Sequence, residues 1–230
     1  MIDFYYAGTP NGLKLRFFLE VAQLPYRLMQ VRLSKGEQHK PEYLAISPNS
    51  KIPAIVDNAP ADGGEPIAMF ESGAIMLYLA EKSGRLIPRD ERARLEVVQW
   101  LFWQMAGLGP MGGQAGHFRA HAPERFAYAI DRYTREVHRL FGVLDQRLAG
   151  RDFIVDEFSI ADIACYPWVW PYRGLGQSLD DFPQLKRWFE TISARPSVAK
   201  IYAGIEDPYA NAPTFSEEER KTLFGQTGTR

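Results

Sequence analysis

Nearly all of the strand signal in this 230-residue chain lies before Phe70, and the rest of the chain reads as helix. That asymmetry points to an α/β unit followed by an all-helical one. Residues 2–6 are short, β-branched and aromatic, as in a strand, and Gly8-Thr9-Pro10-Asn11-Gly12 is a turn cluster. Leu15, Phe18, Leu19 and Ala22 then recur at helical spacing. Further strands are expected at 26–33, 52–57 and 67–70, a short helix at 41–46, and a helix at 71–82 that Gly84 stops. A first crossover of this kind requires a right-handed, parallel pair. The turn around Gly63-Gly64 makes the last two strands an antiparallel hairpin. The order β-α-β-(α)-β-β-α in 1–83 is that of a thioredoxin-like domain.

Residues 84–92 read as a linker and 91–203 as an all-α domain, with 204–230 a polar tail. A helix over 95–105 is expected to end or kink at Gly107-Leu108-Gly109-Pro110. Phe126, Ile130, Tyr133, Val137, Leu140, Leu144 and Leu148 give a long helix with one buried stripe. Ser159 with Asp162 three residues on is a variant capping box opening a helix over 160–169, apolar nearly all round and so central. Another helix is expected over 185–193. Ser216 with Glu217, Glu218 and Glu219 starts a last short one, in a tail long enough to serve as a lid or partner contact.

Charge and composition exclude several functions. A net charge of −1 gives no electrostatic case for nucleic acid, and no run of 18 apolar residues exists to span a membrane. One cysteine, Cys165, leaves no internal disulfide framework. With no basic, cleavable leader at residues 1–6, a cytoplasmic setting is expected. His117 and His121 stand at i, i+4 spacing without an evident third ligand, so no metal is expected. Cys165, in an apolar helix, reads as a buried, inert thiol. Trp100, Phe102 and Trp103 read as core or as the wall of an acceptor pocket.

Two segments carry recognition chemistry. Pro53 stands at the mouth of the β-branched run that begins at Ile52, and Glu71-Ser72 opens an amphipathic helix. Pro53 could simply start a strand, and Ser72 could simply cap its helix. Together they offer a backbone edge and a helix N-terminus, which suits a small peptide bearing a free carboxylate. The chain holds no complete catalytic constellation of its own.

Ser47-Pro48-Asn49-Ser50-Lys51-Ile52-Pro53, Glu71-Ser72-Gly73-Ala74-Ile75 and Ser159-Ile160-Ala161-Asp162, in this order, resemble the cytosolic glutathione transferases over nearly the whole chain. Thr9-Pro10-Asn11-Gly12, the segment 60–66 and Trp100-Leu101-Phe102-Trp103-Gln104 are similar to the bacterial Nu class, the glutathione-dependent disulfide-bond reductases. The resemblance implies a cis Ile52-Pro53 bond whose Ile52 N–H and C=O pair with the cysteinyl backbone of glutathione. It implies Ser72 on the γ-glutamyl carboxylate, Glu71 on the α-amino group, and Gln38 and Lys51 at the glycyl or glutamyl ends. Thr9 and Asn11 would stabilise the ligand's thiolate, although both also suit a turn. Tyr5 and Tyr6, inside the first strand, read as sheet or core residues. Arg132 would reach across a homodimer to the neighbour's ligand, or else lie on a solvated helix face.

The activity implied is reduction of small disulfides by bound glutathione, with glutathione or glutathione disulfide as ligand and weak peroxidase activity beside it. Conjugation of glutathione to an electrophile is the first alternative. A binding protein that has lost catalysis is the second.

Overall fold

A computed structural model describes residues 1–210 and 215–225; residues 211–214 and 226–230 of the expected tail lie outside the described residues. The chain forms two compact units. One takes in Met1–Ser83 and the C-terminal segment, and the other begins at Gly84.

The first unit runs β1 (Ile2–Tyr6), α1 (Pro10–Ala22), β2 (Tyr26–Gln30), α2 (Pro41–Leu44), β3 (Ala54–Asp57), β4 (Ile67–Phe70) and α3 (Ser72–Ser83). Its four strands are ordered β2-β1-β3-β4. β1 and β2 are parallel, and β1–β3 and β3–β4 are antiparallel, so α1 is the crossover and 58–66 the hairpin connection. Phe4 and Ile55 of the sheet, Leu15, Phe18 and Leu19 of α1, and Ile75, Met76 and Leu79 of α3 are buried. A second cluster gathers Val31, Tyr43 and Ala54 with Tyr5, Leu33, Ile46 and Ile52.

The second strand ends three residues earlier than its pattern implies. Val31 N–H still reaches the Tyr6 carbonyl at 2.8 Å. The Arg32 backbone N–H and guanidinium then both bond the Glu37 carboxylate, at 2.7 and 2.8 Å, and fold the chain into 3-10 turns at Leu33–Lys35 and Glu37–His39.

The second unit is helical: α4 (Glu91–Trp103), α5 (Gly109–Gly116), α6 (Ala127–Arg147), α7 (Ile160–Val169), α8 (Pro183–Ser193) and α9 (Pro196–Tyr202). The helix does not end at Gly107–Pro110. The helix passes through a π-helical turn at Gln104–Leu108, and Pro110 falls in the first turn of α5, where its missing N–H has little consequence. A second π-helical turn spans His117–His121. Every residue of α7 is buried. Its expected capping box is present: the Ser159 side chain accepts from Ala161 N–H, and Asp162 accepts from the Ser159 backbone at 3.0 Å. Asp162 also accepts from Trp188 Nε1 at 2.8 Å, which ties α8 to α7.

The last helix, α10 (Glu217–Phe224), is capped by Ser216 and packs beside the 3-10 turn Leu33–Lys35 of the first unit. Among the described residues, no helix is long and apolar enough to cross a membrane.

Candidate functional site

Strand register brings three of the singled-out segments to one end of the sheet. Tyr5 lies opposite Ala54, and Ala54 lies opposite Phe70. The chain leaving β1 toward Thr9, the chain entering β3 through Ile52-Pro53, and the chain leaving β4 into Glu71-Ser72 therefore meet at the same edge. The parallel partner β2 also ends there and delivers the turn that holds Gln38.

The turn into α1 is shaped by close backbone approach. A Cβ on Gly12 would stand 2.1 Å from the Ala7 carbonyl oxygen, so only glycine fits. Thr9 is the N-cap of α1, and its Oγ1 accepts from Gly12 N–H at 3.4 Å. A hydroxyl that accepts in this way keeps its own hydrogen to donate elsewhere. Asn11 follows in the first helical turn, half-buried like Thr9. Thr9 and Asn11 thus both belong to the first turn of α1, at its partially positive end. Tyr6 is buried beneath the turn with the Arg16 guanidinium 5.7 Å from its ring, and Tyr5 packs edge-on to Tyr43 at 5.8 Å. Both tyrosines are sheet and core residues.

The Ile52-Pro53 bond is cis. The turn before it is pinned from beneath: the Lys51 carbonyl accepts from Tyr43 Oη at 2.8 Å and from Ser47 Oγ at 2.9 Å. Burial pushes the Tyr43 hydroxyl up to about 12, so it remains a donor at all ordinary pH. Among the described residues, Ile52 N–H and C=O have no hydrogen-bond partner, which leaves an edge for an added strand. Pro53 is buried, and the Lys51 side chain projects into solvent.

Glu71 and Ser72 divide the work at the start of α3. Ile75 N–H donates to the Glu71 carbonyl at 2.9 Å, so Glu71 stands in the cap position and buried Ser72 is the first helical residue. Glu71 has φ 70°, and Ser50, just before Lys51, has φ 51°. A left-handed backbone at a residue other than glycine costs of order 1 kcal/mol and collects at ligand sites. Among the described residues, two of the four such residues flank this edge. Gln38 is 6% exposed; its Nε2 lies 3.2 Å from His39 Nε2, and its buried Oε1 has no partner among the described residues.

One residue here has no counterpart among the candidates drawn from the sequence. Lys14 of α1 is buried, with Nζ 3.5 Å from Ser72 Oγ. The available signal is its spacing: it lies four residues before Phe18, on the apolar stripe.

The remaining candidates lie in the second unit. Arg132 is on the exposed side of α6, where its charge helps lower the Glu136 carboxyl, after the larger effects of the Arg139 hydrogen bond and burial. Cys165 is fully buried. The His117 and His121 rings are 6.5 Å apart, and among the described residues no cluster of three or more His, Cys, Asp or Glu could hold a metal. Trp100 and Trp103 meet edge-on at 5.1 Å. Phe102 is 63% exposed and so is not a core residue, whereas its neighbour Leu101 is buried.

Comparison with known proteins bears on the family and the fold. The family model for the glutathione S-transferase N-terminal domain matches residues 9–82, and that for the C-terminal domain matches 105–196. The disulfide-bond oxidoreductase YfcG of Escherichia coli strain K12 is 53% identical over 201 residues, covering 87% of this chain and 94% of that protein. A glutathione transferase from Burkholderia graminis, with two glutathione molecules bound per subunit, superposes with a TM-score of 0.83 at 42% identity, covering 89% of this chain and 88% of that one. One from Pseudomonas putida, with one glutathione disulfide per subunit, gives 0.82 at 40% identity over 87% and 90%. The thioredoxin-like unit, the helical unit and both domain matches make this chain a member of the glutathione S-transferase family.

Proposed function

We propose that the protein is a glutathione-dependent disulfide reductase. The observation that carries this reading is the convergence of Thr9 and Asn11, the open Ile52 backbone and Ser72 at one end of a sheet whose unit contains no cysteine. With Cys165 buried in the second unit, the nucleophile is the ligand's own thiol. A free thiol is only a few per cent ionised at neutral pH. Donation from Thr9 and Asn11 and the N-terminus of α1 raise the thiolate fraction.

Ile52 pairs with the cysteinyl backbone, Ser72 and Glu71 hold the γ-glutamyl end, and Gln38 and Lys51 serve the charged termini. The bound thiolate attacks one sulfur of a small disulfide, and the second sulfur leaves as a thiolate and takes up a proton. A second glutathione thiolate then attacks the mixed disulfide, giving glutathione disulfide and the second substrate thiol. Weak peroxidase activity fits the same thiolate. We read the working form as a cytoplasmic homodimer in which Arg132 reaches the partner's ligand. The relatives support the choice of chemistry: YfcG is named a disulfide-bond oxidoreductase, and the superposed structures hold glutathione or its disulfide.

The test compares the rate of reduction of a model disulfide by glutathione with the rate on an aryl halide. Faster disulfide reduction supports the proposal. A faster aryl halide reaction makes the protein a conjugating transferase, and absence of glutathione binding by calorimetry makes it a non-catalytic member.

A further inference from the structure

Gln38 is placed by its turn and by little else. Its Nε2 lies 3.2 Å from His39 Nε2, and its buried Oε1 has no partner among the described residues. Where the amide points therefore depends on the backbone that carries it. That backbone is a pair of single 3-10 turns, Leu33–Lys35 and Glu37–His39, joined at Gly36 with φ 71°. Turns of this kind have poorer hydrogen-bond geometry than an α-helix and are weak restraints by themselves. The Arg32–Glu37 pair ties the two together.

A second tie comes from the far end of the chain. Glu219 is the third residue of α10 and the acidic member of its capping box, accepting from Ser216 N–H at 3.1 Å and from Ser216 Oγ at 3.0 Å. The same carboxylate accepts from the Ser34 hydroxyl and faces the Lys35 ammonium. Its carboxyl is held below the ordinary range: the Ser216 bonds act first, burial opposes them, and Lys35 and Ser34 add to them. Thr222 lies close to Gly36, where a Cβ would meet Thr222 Cγ2 at 3.5 Å. Residues three apart share a helix face, so Glu219 and Thr222 set one face of α10 against Ser34, Lys35 and Gly36. The Ser34 contact is polar and directional, so it fixes where the turn stands and not only that it is covered.

We infer that α10 is a positioning element for glutathione: through Glu219 and Thr222 it fixes the backbone of 34–36, and so sets where Gln38 presents its amide to the charged terminus of the ligand. The inference rests on the glutathione reading above and adds to it a helix remote in sequence from the sheet edge. Glu219 and Thr222 act through Gln38, so they bear on affinity and not on the chemical step at the thiol.

Calorimetric titration of the full chain with glutathione, in wild-type and Gln38→Ala backgrounds, tests this. In the wild-type background Ser34→Ala and Glu219→Ala each weaken binding about three- to tenfold, the value of one hydrogen bond to a charged group. The double variant is no weaker than the worse single one, because both break the same tie. Glu219→Gln, which still serves a capping box, holds wild-type affinity within about twofold. In disulfide reduction, KM for glutathione rises in the alanine variants while kcat holds. In the Gln38→Ala background the same substitutions change nothing. Unchanged affinity in Ser34→Ala and Glu219→Ala overturns the inference. So does equal weakening with and without Gln38, as a general loosening of the first unit would give, or a loss of kcat in place of a rise in KM. Wild-type affinity in Gln38→Ala alone overturns it too and leaves the glutathione reading standing. Failure of wild type to bind glutathione at all removes that reading itself.

Discussion

Replacing Asp162 with alanine sets buried hydrogen bonds against buried charge. The carboxylate is fully buried and accepts from Ile154 N–H and Ser159 N–H at 3.0 Å and from Trp188 Nε1 at 2.8 Å. Truncation strands three buried donors, at about 1–3 kcal/mol each. It also removes a charge from the core. Burial pushes the Asp162 carboxyl up to about 6 against the pull of those donors. Keeping it ionised in the folded chain at pH 7.5 therefore costs about 3 kcal/mol. The donors win, and the variant is destabilised by about 3 kcal/mol at that pH. The pH dependence has a definite sign. A carboxyl raised on folding contributes stability below its unfolded value and loses it as pH rises through about 6. At pH 5 the wild type gains roughly 1–2 kcal/mol that the variant cannot gain. Other titrating groups are shared by both chains and cancel in the difference. Urea unfolding at both pH values, followed by tryptophan fluorescence and far-ultraviolet circular dichroism, should show a larger deficit at pH 5. An equal or larger deficit at pH 7.5 would refute the assignment of desolvation as the dominant influence on this carboxyl.

Three further outcomes can be checked. Gly12→Ala drives a Cβ into the Ala7 carbonyl, so the turn must shift; a stability loss of about 1–3 kcal/mol and weaker glutathione binding should appear together. Glu71→Gly relieves a left-handed backbone and leaves stability unchanged or up to about 1 kcal/mol higher, while calorimetry shows weaker glutathione binding. For Asp57, burial pushes the carboxyl up, but Lys82, Tyr78 and Ala59 N–H outweigh it and hold it below the usual range, so its stabilisation is present above about pH 4 and lost below. Lys82→Met should destabilise by about 2–3 kcal/mol at pH 7 in urea melts, with the deficit shrinking as Asp57 is protonated.

The features that proved legible in the sequence were those fixed by local chemistry. Ser159 and Asp162 form their cap because three-residue spacing alone brings the two side chains to each other's backbone. The register that gathers Thr9, Ile52 and Ser72 comes from a short hairpin and a parallel crossover, both written in turn residues and periodicity. The features that escaped depended on distant partners or on helical continuity. Lys14 reads as an ordinary surface lysine until α3 is packed against α1 and Ser72 arrives from 58 residues away. Arg32 and Glu37 shorten β2 through a side-chain pairing that strand propensity does not register. Gly107 and Pro110 look like a helix stop, yet Gly107 falls in a π-helical turn and Pro110 in the first turn of α5, and α9, opening on Pro196, has too short a pattern to stand out.

The decisive measurement is reduction of a model disulfide by glutathione, run on wild type and on the Thr9→Ala, Asn11→Ala double variant. A ligand thiolate held by these two residues predicts a clear wild-type rate that falls at least about tenfold in the variant, least so at high pH, where the free thiol ionises unaided. A rate that survives the double substitution across the pH range would contradict the assignment and move the thiol donor elsewhere on this edge, with Tyr5 and Tyr6 the next to test.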